Sequence, residues 1–177
     1  MIALSKPIVS DEEKQAVMRV LDSGMIAQGP EVAAFEDEFS RFMEGHHCIA
    51  VNSGTSALHL GLLASGIERG HEVIIPSFTF AATANAVALC GATPVFVDID
   101  IDTFTLDPNA VEAAITDRTS AIMPVHLYGH PADMDPLTEI CIRKGLILLE
   151  DAAQAHLAAY KSQPVGTFGT AAFSFYP

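Results

Sequence analysis

The sequence predicts an α/β protein, an α/β/α sandwich around a mainly parallel sheet. Three observations carry that reading. From His47 onward, short apolar runs alternate with helix-patterned stretches, the rhythm of strand–helix–strand units. One run, Leu146-Ile147-Leu148-Leu149, is apolar at every position, as a strand covered on both faces must be, and it leads straight into Glu150-Asp151. Half of the 177 residues are hydrophobic and only 18% are charged, enough to build a core and too apolar for a disordered chain.

The elements follow in order. Ser10-Asp11-Glu12-Glu13 is a capping box, with Ala16, Val17, Val20 and Leu21 at helical spacing and Gly24 as the stop. Pro30 suits a first helical turn, and Val32, Phe35, Phe39 and Phe42 mark an apolar face that runs to Gly45. Residues 48–51 read as a strand, 55–64 as a helix closed by Gly66, 72–76 as a strand and 79–89 as a helix closed by Gly91. A strand at 94–97 precedes a helix capped by Asp107, with Pro108 in its first turn, ending near Ile115. A strand at 120–125, a helix at 133–144 and the strand ending at Asp151 come next. Residues 171–177 read as one more apolar strand with no polar tail, the mark of a truncated longer protein. No repeat or flexible linker interrupts the chain, so a single domain is expected.

Charge and cysteine usage narrow the function. The net charge of −13, from 9 basic and 22 acidic residues, disfavours nucleic acid and anionic membrane surfaces. A small anionic ligand remains possible, because backbone N–H groups can hold a phosphate. Cys48, Cys90 and Cys141 lack any zinc-ligand spacing and fit a reducing cytoplasm. The first ten residues do not read as a signal peptide. Residues 73–97 carry no charge, but Pro76, Gly91 and Pro94 break the run, and Thr79, Thr83 and Asn85 are polar, so it reads as strand, loop, helix and strand rather than a membrane span.

Several clusters could carry chemistry. Asp151 closes a buried parallel strand, where ligands of such sheets bind, and a carboxylate there needs a cation. Asn52-Ser53-Gly54-Thr55-Ser56 joins a strand end to a helix N-terminus, whose free N–H groups and positive dipole suit a phosphate monoester. A plain N-cap is the commoner use of such hydroxyls. Phe78 and Phe80 are either core or a platform for a flat heterocycle. Asp98, Asp100 and Asp102 imitate a calcium loop, but Thr103 and Asn109 replace its glycine and glutamate, which leaves a solvated turn. His46-His47-Cys48 cannot share one ion, since neighbours on a strand face opposite ways. His126, His130 and His156 fall in or near loops at strand ends, and none is diagnostic.

Phosphate cradle, aromatic plate and buried carboxylate are the parts needed to hold pyridoxal phosphate. The stretches QGPEVAAFEDEF, AVNSGTSALHLGL, EVIIPSFTFAATANAV, GATPVFVDID, PVHLYGHPADMD, LLEDAAQAH and GTAAFSFYP, in that order, resemble the DegT/DnrJ/EryC1/StrS family. Its members are fold-type I, pyridoxal-phosphate-dependent aminotransferases of nucleotide-activated sugars in polysaccharide and related pathways. The resemblance implies an aspartate-aminotransferase-like large domain over residues 1–177, incomplete, with the small C-terminal domain absent. It implies that Gly54, Thr55 and Ser56 bind the cofactor phosphate with Ser174. Phe80 would stack on the pyridine ring, Asp151 would pair with the ring nitrogen, and Gln154 would lie near the phenolic oxygen. The loop at 25–29 would lie near the sugar.

The family's Schiff-base lysine follows the SFYP motif, and Lys6, Lys14, Lys144 and Lys161 do not match its position. No catalytic residue is therefore expected among these 177 residues, and the piece is expected to be inactive alone. The implied partners are a nucleotide-sugar substrate, a glutamate or glutamine donor and a second subunit of a homodimer. Two alternatives remain: a dehydratase of the same superfamily, with histidine in place of the lysine, and a regulatory relative.

Overall fold

Residues 7–176 are described by a computed structural model, and they group into two units, one up to Ala50 and one over Val51–Tyr176. Lys6 and Pro177, the last residue of the expected 171–177 strand, lie outside the described residues.

The first unit begins with the capping box. Ser10 accepts the Glu12 N–H, Glu13 accepts the Ser10 N–H, and α1 runs over Asp11–Ser23. Three acidic residues in its first turn complement the helix dipole. Gly24, at φ 71°, takes the left-handed conformation that ends the helix. Helix α2 spans Pro30–Phe42, with Pro30 in its first turn. The strand expected at 48–51 does not form. Among the described residues no strand pairs with it; instead the Ala50 N–H donates to the Glu36 carboxylate of α2 at 2.8 Å. An apolar stretch without a ladder partner has no reason to remain a strand.

The second unit contains α3 (Gly54–Ala64), β1 (Glu72–Pro76), α4 (Ala81–Leu89), β2 (Thr93–Val97), α5 (Pro108–Ala114), β3 (Thr119–Ile122), α6 (Met134–Lys144) and β4 (Ile147–Asp151). A hairpin of β5 (Ala159–Tyr160) and β6 (Gln163–Pro164) precedes β7 (Thr170–Ala172). The main sheet has the order β2-β1-β3-β4-β7 and is parallel throughout. Successive residues of β1 face opposite ways. Val73 and Ile75 pack with Leu58 and Leu62 of α3 and Val87 of α4, whereas Ile74 packs with Val111 of α5 and Leu137 of α6. Helices thus cover both faces, and each buried Leu or Ile contributes about 1.5–3 kcal/mol relative to exposure. Among the described residues, no helix is long and apolar enough to cross a membrane.

Several boundaries differ from the sequence reading. Strand β3 stops at Ile122, because Pro124 has no N–H for a ladder, and Val125 keeps only an isolated bridge to Asp151. Strand β7 stops at Ala172, and residues 173–176 leave the sheet as irregular chain. Helix α4 begins at Ala81, with Phe80 as its N-cap, two residues later than expected. The β5–β6 hairpin was not foreseen, because two-residue strands show no periodicity.

Gly169, just before β7, is where chain packs on chain. A Cβ there would lie 2.3 Å from the Leu148 carbonyl oxygen of β4. Gly169→Ala is expected to destabilise the full-length protein by about 1–3 kcal/mol, by prising β7 from β4. Chemical denaturation measures the loss, and an unchanged midpoint would contradict this packing.

Candidate functional site at the carboxyl edge of the sheet

Parallel strands bring their carboxyl ends to one edge, and the chain leaving those ends carries the polar groups. Asp151, the last residue of β4, is 4% exposed. Its Oδ2 accepts the Thr83 hydroxyl of α4 at 2.7 Å, and its Oδ1 accepts the Ala153 N–H at 3.2 Å. Thr83 has only one hydroxyl proton and gives it to Asp151, so the Thr79 hydroxyl, 2.8 Å away, must donate to Thr83. Burial pushes the Asp151 carboxyl above its ordinary range, opposed by the Thr83 and Ala153 hydrogen bonds. A full negative charge here therefore needs a cation beside it.

Ser53 caps α3, its Oγ accepting the Ser56 N–H at 3.1 Å and its hydroxyl donating to Ser56 Oγ at 3.0 Å. Ser56 keeps its own hydroxyl proton. The Gly54 and Thr55 N–H groups, first in the helix, have no intrahelical acceptor. Gly54 is fixed by what it touches, since a Cβ on it would lie 2.8 Å from the Ser174 Cβ. That contact joins the start of α3 to the chain leaving β7, so Thr55, Ser56 and Ser174 share one corner. Phe80, the N-cap of α4, is 74% exposed and free to present a ring face. Its carbonyl accepts the Thr83 N–H at 3.1 Å, which ties it to the residue that holds Asp151. Gln154 is exposed, and its Oε1 accepts the Tyr128 N–H at 3.0 Å, which leaves its amide N–H₂ to donate. The loop at 25–29 belongs to the first unit, between α1 and α2, where the Met25 N–H donates to the Ser23 hydroxyl.

Thr83, His126 and Glu150 belong to this edge without having been singled out as site residues. Glu150 and Asp151 face opposite sides of β4, as neighbours on a strand must. Glu150 is fully buried. It accepts the Gly166, Phe168 and Gly169 N–H groups at 2.7, 2.9 and 3.1 Å. His126 is also fully buried; its Nδ1 accepts the Ala132 N–H at 3.0 Å, so its Nε2–H donates to Glu150 at 3.0 Å. The sequence held one clue, a Glu-Asp pair at the end of an apolar strand, which forces one carboxylate to each face. His130 is exposed, and His156 packs against Phe173 and Phe175. Phe78 packs on Phe104. Asp100 accepts the Asp102 and Thr103 N–H groups and the Thr103 hydroxyl, closing the turn the sequence suggested. No group of three or more His, Cys, Asp or Glu among the described residues could hold a metal.

The model of the DegT/DnrJ/EryC1/StrS aminotransferase family matches residues 7–177. A dTDP-3-amino-3,4,6-trideoxy-alpha-D-glucose transaminase of Streptomyces venezuelae is 54% identical over 94% of this chain and 44% of its own length. The spore coat polysaccharide biosynthesis protein SpsC of Bacillus subtilis is 48% identical over 97% of this chain and 44% of its own. Among solved structures, the sugar aminotransferase Spr1654 of Streptococcus pneumoniae superposes with TM-scores of 0.95 in its PMP form and 0.94 in its PLP form. It is 34% identical over 99% of this chain, which covers 48% of the PMP form and 49% of the PLP form. The chain thus spans about half the length of these relatives.

Two outcomes test the carboxylate. Thr83→Val should cost about 1–2 kcal/mol of stability by removing a buried donor to Asp151, measured by denaturant unfolding of the full-length protein. The second concerns pH. With its folded pKa raised, Asp151 contributes stability that is full below the unfolded value near 3.8 and lost as pH rises through the folded one. The ligand-free Asp151→Asn variant should therefore melt with wild type at low pH and above it near neutrality. Parallel melting curves in both proteins would sink the claim.

Proposed function

The chain belongs to the DegT/DnrJ/EryC1/StrS aminotransferase family, and on that premise we propose that it is the cofactor-binding part of a pyridoxal-phosphate-dependent sugar aminotransferase. The parent protein moves an amino group from glutamate or glutamine to a keto-sugar carried on a nucleotide. The observation that carries this reading is Asp151, a carboxylate buried at the ligand edge of a parallel sheet, held by the Thr83 hydroxyl and the Ala153 N–H and in no ion pair with a described basic side chain. A protonated pyridine nitrogen is a cation of the right shape, flat enough to lie beneath the exposed Phe80 ring. The corner of Thr55, Ser56 and Ser174 offers hydroxyl and N–H donors to a phosphate. The residues present therefore fit the cofactor.

Bound there, pyridoxal phosphate supplies an electron sink for a carbon that loses its proton. Asp151 keeps the ring nitrogen protonated, and Thr83 holds the carboxylate in line, with Thr79 behind it. Phe80 covers one ring face and excludes water from it. Gln154, whose Oε1 accepts the Tyr128 N–H, would offer its amide N–H₂ to the phenolic oxygen. Thr55, Ser56 and Ser174 would hold the phosphate and so fix the ring against Asp151.

The amine that receives the cofactor aldehyde comes, in this reading, from none of the described lysines. Lys144 ends α6 just before β4 begins, at the strand edge opposite Asp151. Lys161 is paired with Asp135 at 2.5 Å, and Lys14 with Asp11 at 2.8 Å in the other unit. Residues 1–177 alone are accordingly inactive in this proposal. The parent is a cytoplasmic homodimer, and exposed apolar side chains such as Leu89 and Phe96 offer surface to a partner.

The test uses full-length protein, a panel of keto-sugar nucleotides and nitrogen-labelled glutamate and glutamine. Label is expected in the sugar product, with Asp151→Asn lowering the rate at least about a hundredfold through loss of the ring's charge partner. Sugar dehydration without label transfer would overturn the reading.

A further inference from the structure

We propose that Glu150 is a positioning residue for the phosphate corner, acting from the face of β4 opposite Asp151. The inference rests on the reading of Thr55, Ser56 and Ser174 as the phosphate-holding groups. Glu150 touches none of them. Its carboxylate takes four hydrogen bonds, two on each oxygen: Phe168 and Gly169 N–H on Oε1, Gly166 N–H and the His126 ring on Oε2. Three of these donors belong to one short loop, residues 166–169. A fully buried carboxylate stays in place only while such donors surround it, and the loop keeps its shape only while the carboxylate is there.

That loop leads directly into β7. Thr170 pairs with Leu149, Ala171 with Glu150 itself and Ala172 with Asp151, and the Ala152 N–H closes on the Ala172 carbonyl. Strand β7 is short, three residues paired with β4, so the loop that feeds it contributes to fixing its position. Two positions beyond Ala172 stands Ser174, packed against Gly54 at the start of α3. The position of the Ser174 hydroxyl is thus set from below by Glu150, through a loop with no slack between them. His126 extends the same hold. Its ring donates to Glu150, while its backbone N–H donates to the Asp151 carbonyl at 3.0 Å. One residue therefore bonds to both members of the carboxylate pair.

The experiment compares affinities of the full-length protein for pyridoxal phosphate and for pyridoxal, which lacks the phosphate. Their ratio reports the phosphate corner and is insensitive to general weakening of the site. Glu150→Gln keeps the side chain's shape but replaces one acceptor oxygen with a donor that faces N–H groups. Wild type should favour pyridoxal phosphate, and Ser174→Ala should lower the ratio about tenfold, the worth of one charge-assisted hydrogen bond. Glu150→Gln should lower it by about as much, and the double variant should fall no further than either single one, because the two act through one group. An unchanged ratio in Glu150→Gln beside a lowered ratio in Ser174→Ala overturns the proposal. No phosphate preference in wild type overturns the underlying reading of the corner instead. A wild-type measurement stands beside the variant: in ligand-free protein the Gly166, Phe168 and Gly169 amides should exchange slowly with solvent deuterium. Fast exchange at those amides also overturns the proposal.

Discussion

The organisation of this protein turns on two adjacent carboxylates at the end of β4. A strand cannot point neighbouring side chains the same way, so Glu150 and Asp151 divide between the two faces of the sheet. Asp151 meets the helix layer of α4, where Thr83 holds it, with a charge that still calls for a cation. Glu150 meets the other side, where backbone N–H groups and His126 satisfy it completely. One carboxylate is left demanding and the other is spent on architecture. Had both been satisfied from within, the edge would be stable and chemically inert.

The fold was legible wherever an element carries its own signature. The capping box at Ser10, the stop at Gly24, Pro108 after Asp107 and the apolar run into Asp151 each describe a local physical fact, and each reappears in the structure. Where an element depends on a distant partner, the sequence was a poor guide. Residues 48–51 look like a strand, yet no strand among the described residues pairs with them, and the Ala50 N–H goes to the Glu36 carboxylate instead. The β5–β6 hairpin is too short to print a period.

The site divides along the same line. Asp151, Gly54, Thr55 and Ser56 were legible as candidates because strand ends and helix starts are recognisable positions, and Phe80 because it follows one such end; Gln154 and Ser174 were candidates only through the family resemblance. The groups behind them were not legible. Thr83 looks like a polar interruption in an apolar helix, and Glu150 is readable only as the neighbour of Asp151 on the opposite face of the strand. Only the tertiary structure gives the first a carboxylate and the second a nest of amides. His126 was noticed as a residue near a strand end, but its partners are 6 and 24 positions away, beyond any local pattern.

The contact between Gly54 and Ser174 has a consequence for how the protein is made. It joins the first helix of the second unit to the chain beyond its last strand, and the Thr83–Asp151 bond spans 68 residues. Long loops must close before such contacts stabilise anything, and sheets assembled this way fold slowly. During synthesis the hydroxyls of α3 leave the ribosome well before the strand that brings Ser174 to them. The corner that would hold a phosphate therefore matures only once Ser174 has joined α3, and phosphate capture follows the closing of that long-range contact rather than guiding the first steps of folding.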